Sequence, residues 1–160
     1  MQKNDFVKKK ITLKSSAFNN GDMIPKKYTC EGENMSPPLY WDHVSPLAKS
    51  LVLICHDPDA PSGDWVHWLV YDIPATVTSF KEDEDLSLYK IGLTSWGSTH
   101  QGYNGPCPPS GMHHYIFDLY AIDKEMVGLP AGIDKNELLS VIKEHILEKA
   151  SLMSTYQKGQ

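Results

Sequence analysis

The chain has 160 residues, of which 41% are hydrophobic and 22% charged, and a formal charge of -5. That length suits one domain over residues 1–160 with a core large enough to fold without a metal or disulfide staple. The acidic balance excludes a general basic grip on nucleic acid or anionic lipid, though not a local basic pocket. Cys30, Cys55 and Cys107 are odd in number and lack CxxC spacing, so the expectation is inert thiols, no disulfide framework and a reducing, cytoplasmic setting. The polar, Lys-rich start from Met1 to Lys10 has no apolar segment after it, and no run suits stable membrane insertion.

In chain order, Ile11-Thr12-Leu13 follows Lys8, Lys9 and Lys10 and reads as a first strand. Residues 19–38 are rich in Asn, Gly and Pro and read as a long ordered loop. Leu51 to Asp57 is a strand-like run stopped by DPDAP, and Trp65 to Ile73 is a second run closed by Pro74. Strict alternation puts Trp65, His67, Leu69, Tyr71 and Ile73 on one face of the second run. Glu82 to Asp85 reads as a solvated acidic loop, and residues 102–111, GYNGPCPPSG, as a stiff Gly/Pro loop. His114 to Ile122 is the clearest strand. Tyr115, Phe117, Leu119 and Ala121 share one face of it, with bulky residues opposite, so it is expected at the centre of a sheet covered on both sides. Asp134 and Glu137 form a capping-box-like start to a helix carrying Leu138, Val141, Ile142 and His145 at helical spacing, expected to end near Ala150. The tail, Ser151 to Gln160, adds an edge strand at Thr155-Tyr156. Strands dominate, so the fold class is mainly β: an antiparallel sandwich with a peripheral C-terminal helix.

Three strand ends then deliver Asp57, His67 and His113 to one rim. A carboxylate beside an imidazole favours its charged form, so Asp57 is expected to hold His67 or His113 as a cationic donor toward a phosphate or carboxylate. Direct contact of Asp57 with the ammonium of a zwitterionic ligand is the alternative. Gly105 and Cys107 are candidate backbone N–H donors, since Pro108 and Pro109 have none. Trp65 and Tyr115 wall the pocket, where an aromatic face attracts a cationic group by about 0.5–2 kcal/mol. His43, His56, His100, His114 and His145 are assigned to surface or packing roles. Two histidines and a carboxylate also match a metal-binding facial triad, so a metal-dependent enzyme is a competing reading, although no HxH or HExxH spacing preorganises ligands. Ser62 and Ser110 have no visible activating base. No cofactor, metal or catalytic group is expected.

DPDAPSGDWVHW and GYNGPCPPSGMHHY, preceded by AFNNGDMIPKKYTCEGENMSPPLYW, together resemble the phosphatidylethanolamine-binding proteins, and their wording is similar to the bacterial and archaeal Raf kinase inhibitor-like branch. The resemblance runs from about Leu13 to the end. It implies a large antiparallel sheet packed on a smaller one and a pocket for phosphate-like anions or phosphorylethanolamine headgroups. It carries Asp57, Pro61, Trp65, His67, Gly105, His113 and Tyr115 over as pocket residues. It also implies a non-catalytic role, a possible protein partner such as a kinase, a homodimer, and protease inhibition as a further alternative. His114 stands where many relatives have arginine, and the pocket-capping C-terminal helix of the eukaryotic members is not recognisable.

Overall fold

The computed structural model describes residues 9–159, and of residues 98–101 only the backbone. The readings of Met1 to Lys8, His100 and Gln160 lie outside the described residues. A three-stranded antiparallel sheet joins β1 (Thr12–Lys14), β2 (Leu39–Asp42) and β5 (Ser79–Phe80), with β2 central. A five-stranded antiparallel sheet runs in the order β10 (Ile146–Tyr156), β9 (His113–Ile122), β3 (Ser50–Asp57), β4 (Trp65–Pro74), β6 (Lys90–Ile91). Between β6 and β9, β7 (Leu93–Thr94) and β8 (Gly97–Gln101) form a hairpin.

The two sheets stack, as the mainly β reading expects. Leu13, Leu39, Trp41 and Phe80 of the small sheet bury against Leu51, Leu53, Trp68, Val70, Phe117 and Leu119 of the large one. The other face of the large sheet carries Val52, Ile54, Leu69 and Tyr71, covered by Met126, Ile133 and the helix α1 (Lys135–Ile142) through Leu138 and Ile142. Both faces of β3 and most of β9 are therefore buried, and this explains their apolar sequences. No helix among the described residues is long and apolar enough to cross a membrane.

Two expectations change. Strict alternation fails in β4, because its register with β3 shifts between Leu51 and Leu53 and again between Cys55 and His56. Each shift inserts an extra residue into β4 as a bulge, at residues 71–72 and at His67, and Asp72 takes a positive φ of 56°. Trp68, Val70 and Ile73 thus enter the core between the sheets, while Val66, Leu69 and Tyr71 face α1.

The helix also stops sooner than expected. It ends at Ile142, not near Ala150, and the edge strand expected at Thr155-Tyr156 is the end of a longer one, β10, that starts at Ile146 and takes the place of the helix's second half. From Ala150 onward the buried positions alternate (Ala150, Leu152, Ser154, Tyr156), a strand period that β9 satisfies with a full ladder of partners. The start of the helix is as read, since Asp134 accepts the Glu137 backbone N–H at 2.8 Å. Asp134→Ala is expected to cost about 1 kcal/mol in urea denaturation. An unchanged midpoint would mean that Leu138 and Ile142 alone hold the helix down.

Candidate functional site

Asp57, Trp65 and His113 stand at the ends of β3, β4 and β9, which are neighbours in the large sheet. Asp57 pairs with Trp65, and the bulge just beyond frees His67 from the ladder and sets it on the face of Tyr115. The DPDAP turn is locked from inside: the Asp59 N–H donates to Asp57 Oδ1 at 2.8 Å. Asp59 Oδ2 in turn accepts the backbone N–H of His114 at 2.8 Å and faces its Nδ1 at 2.7 Å. His114 therefore pins the turn to β9, and its hydrogen bonds are the first cause of a lowered Asp59 pKa.

A cavity of about 260 Å³ opens between these strand ends. Asp57, Pro61, Trp65, His67, Cys107, His113 and Tyr115 line it; Gly105 does not. A larger cavity, about 350 Å³, lies beside Asp83, Glu84 and Asp85, but no imidazole, lysine or arginine lines it, so it is the poorer host for an anion. Trp96, from the β7–β8 hairpin, also lines the smaller cavity. Its ring meets Trp65 edge-to-face at 5.5 Å and His67 at 5.1 Å.

The two imidazoles are held differently. His113 Nδ1 lies 2.7 Å from Asp57 Oδ2. An ionised carboxylate only accepts, so this nitrogen carries the proton and Asp57 orients the ring. His67 Nδ1 lies 2.6 Å from the Asn104 carbonyl, which again fixes an Nδ1–H. Burial lowers the His67 pKa, and the opposing pull of the Asn104 carbonyl and of Asp57 does not overcome it. Burial therefore works against the charged form at His67, one of the two rings expected as a cationic donor. Tyr115 is fully buried and its hydroxyl has no hydrogen-bond partner, although it approaches Asp57 and the Cys107 backbone. Burial first, then the Asp57 charge, drives its pKa well upward, so it retains a proton to donate. No lysine or arginine lines the cavity. Among the described residues no three His, Cys, Asp or Glu side chains gather as a metal-binding group.

Two loop residues act otherwise than expected. The Gly105 N–H donates to Asn34 Oδ1 at 2.8 Å instead of facing the cavity. A Cβ there would sit 2.0 Å from the Tyr28 carbonyl oxygen, so the glycine permits backbone packing. Cys107 is bonded to Cys30, which corrects the reading of both as inert free thiols and removes the support for a reducing compartment. The Cys30 N–H also donates to the Pro106 carbonyl at 3.1 Å, and Tyr103 Oη donates to the Tyr28 carbonyl at 2.7 Å. The stiff loop is thus tied at several points to residues 28–34. Cys55 alone stays free, buried, with its thiol pKa driven up by burial.

Fold and site together describe a two-sheet antiparallel sandwich with a small aromatic-walled cavity at converging strand ends. The chain belongs to the phosphatidylethanolamine-binding protein family, whose sequence profile matches residues 14–157. A UPF0098 protein of Methanothermobacter thermautotrophicus is 45% identical over 152 residues, covering 93% of this chain and 100% of that protein. Another, from Chlamydia pneumoniae, is 42% identical over 93% of this chain and 100% of its own length. The crystal structure of a phosphatidylethanolamine-binding protein homolog from Chlamydia trachomatis matches with a TM-score of 0.88 and 41% identity, covering 93% of this chain and 98% of that one. That of Escherichia coli YbcL, described as a new member of the mammalian family, matches with a TM-score of 0.85 and 27% identity, covering 93% and 99%.

Proposed function

We propose that this protein is a non-catalytic binding protein whose pocket takes a phosphate-like anion or a phosphorylethanolamine headgroup. The observation that carries this reading is the unpartnered Tyr115 hydroxyl in a cavity shared with His67 and His113. A buried donor without an acceptor costs about 1–3 kcal/mol, which a ligand oxygen offsets. Trp65 and Trp96 supply aromatic surface for a methylene-ammonium group. Both Asp57 oxygens already accept hydrogen bonds, which favours its indirect role over direct contact with the ammonium. A cavity of about 260 Å³ is smaller than most drug-sized sites, roughly 300–1,000 Å³, so the headgroup enters and acyl chains stay outside. In this reading occupancy regulates a partner protein, a kinase among the candidates, and the protein works as a homodimer. The disulfide leaves the cytoplasmic setting without its original argument.

The test is an NMR titration of the histidine rings with phosphorylethanolamine. Selective shifts at His67 and His113 are expected, with a clear loss of affinity in Tyr115→Phe, which retains the ring and removes the donor. No shift at either ring up to millimolar ligand would overturn the pocket.

A further inference from the structure

We infer that the pocket takes its anion together with one proton, which ends on Nε2 of His67. The inference rests on the anion-pocket reading and adds the protonation state of the complex.

The argument starts from the ring. Its Nδ1–H is committed to the Asn104 carbonyl, and a carbonyl cannot donate, so the neutral ring presents a bare lone pair at Nε2. Rotation of the ring would break the Asn104 bond, and Trp96 and Tyr115 hold it edge-to-face at 5.1 and 5.2 Å. A fully ionised phosphate monoester brought to that lone pair meets acceptor against acceptor.

No lysine or arginine lines the cavity, so the groups facing the ring are these. From β3, the Asp57 carboxylate draws positive charge onto His67, while His56 opposes it. From β9 come the His113 ring and the protonated Tyr115 hydroxyl. From the loop come the Asn104 and Gly105 carbonyls, which favour an N–H, and Cys107, whose disulfide does not titrate. From the hairpin comes the uncharged Trp96. Burial disfavours the charged form of the empty ring. A proton moving from solvent to Nε2 then reverses the sign of the interaction. The lone pair becomes an N–H donor to the phosphate oxygen, and the imidazolium lies between Asn104, the ligand and the field of Asp57.

The measurement is calorimetric titration with phosphorylethanolamine at pH 7.5, in phosphate-free buffers of different ionisation enthalpy. At that pH the phosphate is mostly dianionic, its second pKa being near 6, so uptake of close to one proton per ligand is expected. Affinity should fall about tenfold per pH unit above neutrality, the slope of a one-proton linkage. Histidine ¹⁵N spectra identify the acceptor: Nε2 of His67 should move from an unprotonated to a protonated resonance on saturation. Binding without proton uptake would overturn the inference, as would uptake that protonates His113 and leaves His67 Nε2 bare. Absence of any binding would instead sink the pocket reading itself.

Discussion

Replacing Cys30 and Cys107 together by serine is expected to cost about 4 kcal/mol of unfolding free energy, the value a loop-closure account gives for a bond of this span. The two cysteines are 77 residues apart, so the bond removes a large loop from the freedom of the unfolded chain. In a domain of this size the loss corresponds to roughly 8–16 °C in Tm. Urea denaturation of the oxidised protein, the protein reduced with a dithiol, and the double variant should place the last two together, well below the first. The pocket should respond as well, because Cys107 lines it and the bond anchors its loop to residues 28–34. Coincident curves for oxidised and reduced protein would show that the remaining backbone ties hold the loop unaided.

The second large effect is expected at Asp118. The sequence assigned His56 to surface or packing, yet its Nδ1 lies 2.7 Å from Asp64 and its Nε2 3.0 Å from Asp118. With a carboxylate on each nitrogen, both carry protons. Burial works against that charge, but the hydrogen bonds to Asp118 and Asp64 prevail and raise the His56 pKa. Burial likewise works to raise the Asp118 pKa, and the hydrogen bonds from His56 and Ser151 overcome it and hold it below the usual range. Lys135 completes the group with an ion pair to Asp64, so the network staples β3, β9 and β10 to the start of α1. Asp118→Ala should cost about 3 kcal/mol, because it removes the buried carboxylate that binds both Ser151 and the half-buried His56 ring, which keeps only Asp64. A loss below about 1 kcal/mol would mean that the network behaves as exposed ion pairs do.

The pH dependence gives a separate test of the network. With its folded pKa raised, the His56 contribution is complete below its unfolded value near 6.5 and fades as pH rises through the folded value. The lowered pKa of His67 has the opposite sign and acts only below about 6.5. Between pH 6.5 and 8.5, stability should therefore fall in the wild type and fall less in His56→Gln.

Long uninterrupted patterns were legible in the sequence. Residues 51–57 and 113–122 run as strands without a break and are largely buried on both faces, so their strands and the rim carrying Asp57, His113 and Tyr115 followed from period and punctuation. The bulges of β4 were not legible, because a bulge is a mismatch between two strands and one strand does not display it. Strands as short as β5, β6 and β7, two residues each, carry no period at all. The helix was extended too far because Ile142, His145 and Ile146 continue its spacing across the turn that ends it. Trp96 was missed for want of a motif, although an aromatic residue beside Gly97 between two short runs is a fair hairpin signal. The Cys30–Cys107 pair was hidden by the odd count, since buried, unpaired Cys55 supplies the third.

The outer edge of β10 bears on how this molecule meets others. Residues 153–155 are already occupied on that side: Gly21 N–H donates to the Met153 carbonyl, Ile24 N–H to that of Thr155, and Thr155 N–H to that of Asp22. Nearer the start of the strand, Glu148 accepts the Ser45 N–H at 2.6 Å. An incoming chain would have to peel away residues 21–24 before it could add a strand there. This end of the largest sheet is thus guarded against recruitment of foreign β-segments. Any strand added at this edge, from a second copy of the chain or from another protein, would carry that cost.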